Sequence, residues 1–103
     1  MGRPRKPRTC SCPHRARFKA VFKPAGTPLG ELPIIPLYHD ELEALHLCDG
    51  QGKTQEEAGA CMGVSRGTVQ RLLQEARRKV AEALVNQQAL AIGSREDVAE
   101  IEQ

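Results

Sequence analysis

The clearest hydrophobic pattern in the chain lies between residues 65 and 84. Apolar residues recur there at the three- and four-residue steps of one helix face, and Ser65 precedes them as a candidate N-cap. The apolar positions are Val69, Leu72, Leu73, Ala76, Val80, Ala83 and Leu84. We therefore predict a long amphipathic third helix that buries this face.

Two shorter helices are predicted before it. In the first, Asp40 with Glu43 three residues later has the spacing of an N-terminal capping box, and Gly50 would end the helix. In the second, Thr54 and Glu57 repeat the capping spacing just before another helix-forming stretch. The pattern therefore predicts three helices in succession.

Two glycines shape the second predicted helix, Gln55 to Met62. Gly59 supplies a small residue where this helix approaches the third one, and Gly63 would end it by adopting a positive φ. A capped helix, a small residue, a turn glycine and a second capped helix are the parts of a helix-turn-helix.

The composition favours helices over a sandwich of sheets. Only three aromatic residues are present, so the core is aliphatic, and such a core suits packed helices best. We predict an all-α fold, a helix-turn-helix three-helix core with a flexible basic N-terminal arm. Its segments are a disordered arm at 1–17, a Pro-rich extended segment packing on the core at 18–37, the helix-turn-helix domain at 38–92, and an acidic tail at 93–103, where Ser94 and Asp97 are spaced to cap a short helix.

The outer face of the third helix carries side chains that can read bases. With the apolar stripe inward, the 100° step per residue places Arg66, Gln70, Arg71 and Gln74 outward. Arg can donate two hydrogen bonds to guanine, and Gln can pair with adenine, in the major groove. Gly67 would let the backbone approach the DNA. The alternative is an ordinary helical hairpin whose Arg and Gln side chains are only solvated. DNA binding is favoured because the capped helix, the small residue, the turn glycine and the second capped helix all occur in one register.

The start of the chain is strongly basic. Residues 1–24 hold eight Lys or Arg and no acid, a formal charge of +8, which leaves −6 on residues 25–103 because the whole chain carries +2. Such an arm binds polyanions by releasing counterions, although a solvated tail explains the charge equally well. The run Gly2-Arg-Pro-Arg-Lys-Pro-Arg8 resembles an AT-hook, which implies an extended segment in the A·T minor groove.

Further contacts to phosphate or to the minor groove are predicted from the arm, from the helix N-termini and from later turns of the third helix. These residues are Arg3, Arg5, Lys6, Arg8, Lys53, Thr54, Ser65, Thr68, Arg77, Arg78 and Lys79. Contacts of this kind position a protein on DNA without reading its sequence.

The cysteines and histidines suggest little chemistry. Cys10, Cys12 and His14 place three soft ligands within five residues, but no second ligand pair follows at a distance, so we expect incidental thiols, no metal site and no cofactor. Cys48 and Cys61 are interpreted as small apolar packing residues in a reducing compartment.

Two classes of protein are not expected. No apolar run approaches the ~20 residues that span a membrane, and no signal-peptide region follows the basic start, so the sequence predicts a cytoplasmic, nucleoid-associated protein. Asp40, Glu41 and Glu43 are interpreted as a capping and solvated face, and no catalytic triad or phosphate-binding glycine loop is present. Enzyme activity is therefore not expected.

Six short motifs are spread along the chain: Gly2-Arg-Pro-Arg-Lys, Phe22-Lys-Pro-Ala-Gly-Thr-Pro-Leu, Asp40-Glu-Leu-Glu-Ala-Leu, Gln55-Glu-Glu-Ala, Met62-Gly-Val-Ser-Arg-Gly-Thr and Ala83-Leu-Val-Asn. Together they resemble one family of small prokaryotic proteins, the uncharacterised protein family 0251, also called domain of unknown function 134, with a sigma-region-4-like or winged-helix-like fold. The resemblance covers roughly residues 1–92 and implies a sigma-region-like or winged-helix-like DNA-binding fold. The chain departs from the family pattern at residues 10–14 and after Gly93.

We therefore expect a transcriptional regulator whose partner is double-stranded DNA. Two alternatives stay open: a module that docks on RNA polymerase or another regulator, and a metal- or thiol-responsive regulator using residues 10–14. The exposed end of the third helix and residues 86–103 offer a contact for a homodimer.

Overall fold

The computed structural model describes residues 20–95. The elements, in chain order, are β1 Ala20–Phe22, a 3₁₀ turn Leu29–Glu31, β2 Ile34–Tyr38, α1 His39–Leu45, a π-helical turn His46–Gly50, α2 Gln55–Met62, α3 Arg66–Asn86 and β3 Ala89–Gly93.

The prediction of an all-α fold is wrong, because the described part of the chain contains a three-stranded mixed sheet. The central strand is β3, which pairs antiparallel with β1 and parallel with β2. All five residues of β3 are buried. Pro36 fits in β2 because this strand lies at an edge of the sheet, where a missing backbone N–H is tolerated.

The first helix begins earlier than the capping pattern predicts. Its N-cap is Tyr38, whose backbone N–H donates to Oε1 of Glu41 at 3.0 Å. Asp40 therefore lies inside the helix, and its interpretation as the cap is wrong. The helix continues into the π-helical turn, which ends at Gly50 as expected.

The third helix joins two parts of the core. Its first half packs with α1, the π-helical turn and α2, and this cluster contains Ala44, Leu47, Ala58, Val69 and Leu73. Its second half packs on the sheet, and this cluster contains Leu37, Ala76, Ala83, Leu90 and Ile92. Leu84 is 72% exposed, so its assignment to the buried stripe is wrong.

Candidate nucleic-acid interface

The local signals that position α2 and α3 behave as the sequence predicts. Thr54 Oγ1 accepts from the Glu57 backbone N–H at 3.0 Å, and Glu57 Oε1 accepts from the Thr54 backbone N–H at 2.9 Å. Gly63 ends α2 with φ +72°. Ser65 caps α3, since its Oγ accepts from the Thr68 backbone N–H at 3.1 Å.

Gly59 determines how closely the two helices approach. A Cβ atom at this position would lie 2.7 Å from the backbone carbonyl oxygen of Val64, closer than real Cβ contacts come. The clash would be with backbone, which cannot rotate away. The predicted requirement for a small residue at Gly59 is therefore confirmed.

The structure brings the four predicted base-reading residues together. Arg66, Gln70, Arg71 and Gln74 are all exposed on the first half of α3, while Val69 and Leu73 are buried on its other side. No acidic residue occurs between positions 65 and 74. The surface is consequently rich in hydrogen-bond donors and positively charged.

Arg71 is held toward the start of the helix. Its Nη2 donates to Thr68 Oγ1 at 3.2 Å, and Thr68 Oγ1 lies 3.0 Å from Ser65 Oγ. Arg66 forms no ion pair with any other described residue. Two guanidinium groups of the first turns are thus available to an outside acceptor.

Gly67 has no role in the packing that the structure describes. A Cβ atom there would meet only Ser65 Oγ, at an ordinary 3.9 Å, and the backbone does not adopt a positive φ. Glycine is nevertheless costly in a helix compared with alanine. The bare backbone at the start of α3 leaves room for an outside molecule to come close.

The two arginines that follow are bound to carboxylates. Arg77 donates two hydrogen bonds to Asp49, from Nε at 2.9 Å and from Nη2 at 2.7 Å. Arg78 contacts both Glu75 and Glu82. Hydrogen bonds from these arginines lower the pKa of Asp49 and of Glu75. Much of the positive charge predicted for phosphate is therefore neutralised here.

Lys79 is buried and cannot contact phosphate, so that prediction is wrong. Its Nζ lies 2.7 Å from Oε1 of Glu41 and 4.2 Å from the centroid of the Tyr38 ring. Glu41 is only 3% exposed, which also corrects its assignment to a solvated face. An ammonium can be buried in this way because a carboxylate and an aromatic ring compensate its lost hydration.

The remaining predicted contacts divide into two groups. Lys53 is half-buried and Thr54 is exposed, both at the start of α2. The arm residues Arg3, Arg5, Lys6 and Arg8 and the candidate ligands Cys10, Cys12 and His14 lie outside the described residues, as does Asp97 of the proposed tail cap.

The cysteines of the folded part have different surroundings. Cys48 packs against the cluster around Val69, as predicted, whereas Cys61 is exposed, so the packing role predicted for it is wrong. Within residues 20–95, no three His, Cys, Asp or Glu side chains are grouped to hold a metal ion. In the same range, no helix has the length and apolar character needed to cross a bilayer.

Sequence reasoning missed two features of α3 and its contacts. The first is Asp49, the partner of Arg77, whose 28-residue separation no local pattern reveals. The second is the exposure of Leu84 and Val85 at the end of α3. Helix periodicity gave no signal for Leu84, because it lies eleven residues after the buried Leu73 and thus on the same side of the helix.

Comparison with known proteins places the chain in a group of similar sequences. The model of the family described as "Protein of unknown function DUF134" matches residues 1–98. A UPF0251 protein of Vibrio vulnificus (strain YJ016) is 47% identical over 89% of both chains. One from Methanococcus maripaludis (strain C7) is 46% identical over 89% of this chain and 68% of its own length. No solved structure matches significantly.

Proposed function

This chain belongs to the family described as protein of unknown function DUF134, and from the geometry of its α2–α3 unit we propose that it binds double-stranded DNA as a transcriptional regulator at the nucleoid. In this proposal α2 and α3 act as a helix-turn-helix, with α3 entering the major groove by its N-terminal half. A basic arm would follow the adjacent minor groove.

One observation carries the proposal. The exposed side of the first turns of α3 presents Arg66, Gln70, Arg71 and Gln74, without a carboxylate between residues 65 and 74. These side chains match the acceptor and donor patterns of guanine and adenine edges. The open space at Gly67 supports the same reading, because it permits close approach of a sugar-phosphate backbone.

The positions of the charged and polar residues indicate which would contact bases and which would contact phosphates. Arg66 and Arg71 would read bases, while Thr54, Ser65 and the N-terminal amides of α2 and α3 would contact phosphates. Arg77 and Arg78 would contribute less than their charge suggests, because Asp49, Glu75 and Glu82 already bind them. Most of the salt-dependent attraction would then come from the arm.

The test is a fluorescence-anisotropy titration of the full chain against random and A·T-rich duplexes across a salt series. We expect Arg71→Ala to weaken binding to the preferred duplex by about 1–3 kcal/mol, as for loss of a bidentate base contact. Arg71→Lys keeps the charge and should lose the sequence preference. The double variant R3A/R5A should lower the salt dependence and leave that preference.

Lys23→Ala is the matched control for loss of a positive charge. Lys23 is exposed at the end of β1, where its Nζ donates to the Thr27 carbonyl at 2.6 Å. It lies beside the last turn of α3, at the opposite end of the helix from the proposed base-reading side chains. Its removal should change affinity much less than Arg71→Ala does. If the parent fails to bind any duplex at low salt, DNA binding is rejected and a protein partner becomes the better explanation.

A further inference from the structure

Three side chains at the exposed start of α3 form a continuous hydrogen-bonded row. Ser65 Oγ accepts from the Thr68 backbone N–H at 3.1 Å and lies 3.0 Å from Thr68 Oγ1. Thr68 Oγ1 in turn accepts from Arg71 Nη2 at 3.2 Å. The spacing of three residues places these side chains on neighbouring turns of one helix side. A predicted base-reading arginine is therefore connected to the cap of its own helix.

Thr68 is the rigid member of this row. A β-branched side chain has little freedom about χ1 in a helix, and Thr68 is also half-buried. Ser65 is fixed in its turn by the N-cap bond from the Thr68 backbone. The Arg71 side chain is long and exposed, and without a partner it would adopt many rotamers. The hydrogen bond thus orders the arginine rather than the threonine.

Thr68 orders Arg71 without neutralising its charge. Arg71 borders an open cleft that Glu41 and Glu75 also line, but these carboxylates are already bound by other cations of α3. A neutral hydroxyl does not compensate the guanidinium charge as a carboxylate does. The guanidinium group has several N–H donors, and the bond to Thr68 uses one of them. Arg71 can therefore keep this bond and still donate two hydrogen bonds to guanine.

We propose that Thr68 is a positioning residue, which fixes the direction of Arg71 and thereby sharpens the base preference of α3. The inference rests on the proposed function, because it concerns the same DNA-reading surface. A side chain that is ordered before binding loses less conformational entropy when it contacts a base. A fixed direction also disfavours base pairs whose acceptors lie elsewhere. The predicted contact of Thr68 with phosphate is a different role, since phosphate contacts do not read sequence.

The first test is the anisotropy titration of Thr68→Val in the full chain. Valine keeps the branched shape of threonine and removes the acceptor for Arg71. The preference for the best-bound duplex over random duplex should fall by about three- to tenfold, the usual effect of losing one hydrogen bond. Affinity for the random duplex should stay close to that of the parent. Thr68→Ser keeps the hydroxyl group and should retain most of the preference.

Thr27→Val is the matched control for the change from threonine to valine. Thr27 is also half-buried, and its carbonyl accepts from Lys23 beside the last turn of α3. The control position therefore lies near the opposite end of α3 from Arg71. This variant should keep both the affinity and the sequence preference of the parent. Circular dichroism and urea denaturation should show that each variant remains folded.

A double-mutant cycle with Arg71→Ala separates positioning from direct contact. If Thr68 acts through Arg71, Thr68→Val should have little further effect on sequence preference once Arg71 is replaced by alanine. If Thr68 instead contacts phosphate, Thr68→Val should weaken binding to every duplex by the same factor in both backgrounds. That second result would overturn the proposal.

A measurement without DNA separates this inference from the proposed function. In the DNA-free parent, NMR relaxation of the Arg71 Nε–H group should show an ordered side chain, and Thr68→Val should make that side chain more mobile. Equal mobility in the two proteins would overturn the proposal, whatever the chain binds. A parent that has an ordered Arg71 and binds no duplex would reject the proposed function, and with it the effect of Thr68 on base preference.

Discussion

Lys79 shows how strongly a single residue depends on distant parts of the chain. Its ammonium group is buried against Glu41, 38 residues away, and over the ring of Tyr38. Arg95 lies near the same ring, 4.3 Å from its centroid, and binds Asp40. The two cations therefore tie α3 and the residues after β3 to the start of α1.

Removing one member of this buried pair should cost much more than removing both. Lys79→Met leaves the Glu41 carboxylate buried without its cation, and we expect the free energy of unfolding to fall by about 3–5 kcal/mol. The double variant E41M/K79M leaves no unpaired charge, so its loss should be well below the sum of the two single losses. Urea denaturation measures all three, and additive losses would contradict the coupling.

Gly67 allows stability and binding to be separated. Gly67→Ala meets no clash, and it should stabilise the fold by about 0.5–1 kcal/mol because alanine favours helix. The added methyl group should at the same time weaken DNA binding. Gly30→Ala is the control, since its Cβ also enters open space but lies far from α3 along the chain. If the Gly67→Ala variant binds DNA with unchanged affinity, DNA does not need to approach the α3 backbone closely at this position.

At the scale of secondary-structure elements, the sequence predicts the helix boundaries that depend on contacts between residues close in the chain. Thr54, Gly63 and Ser65 act within three or four residues, and the structure has α2 and α3 where these signals predict them. Strand β3 was missed because its sequence Ala-Leu-Ala-Ile-Gly has weak strand propensity, and its partner β2 lies more than fifty residues earlier. Pairing over that distance depends on the packing of α3 on the sheet, which no local pattern encodes.

The same limit applies to the candidate site. The outward position of Arg66, Gln70, Arg71 and Gln74 follows from helix periodicity alone. Periodicity does not show which of the later basic residues are available to bind DNA. That depends on carboxylates that the fold brings close, such as Asp49 beside Arg77. Charge can be counted from the sequence, but its neutralisation cannot.

The pair of Asp49 and Arg77 connects the π-helical turn to α3 and should make stability depend on pH. Hydrogen bonding to Arg77 lowers the pKa of Asp49 below its ordinary value of 3.8. The stabilising contribution is therefore complete above that ordinary value and is lost as pH falls through the lowered pKa. Because the pair is exposed, we expect a small effect.

Urea denaturation of Asp49→Asn over a range of acidic pH checks this. The parent should be the more stable protein near neutral pH, and the difference should disappear in acid. Glu43→Gln is the control, because it removes an exposed carboxylate that forms no ion pair with the described residues. Its difference in stability from the parent should not change comparably with pH. A constant difference between parent and Asp49→Asn at every pH would contradict the role of the pair.

At the scale of the whole molecule, α3 connects the proposed recognition surface to both parts of the core. Its first turns carry the proposed base-reading side chains, and its middle is anchored to α1 through Lys79. Its first half packs with α1 and α2, and its second half packs on the sheet. Because one rigid helix joins these regions, the sheet and the helices together determine how the base-reading side chains are presented.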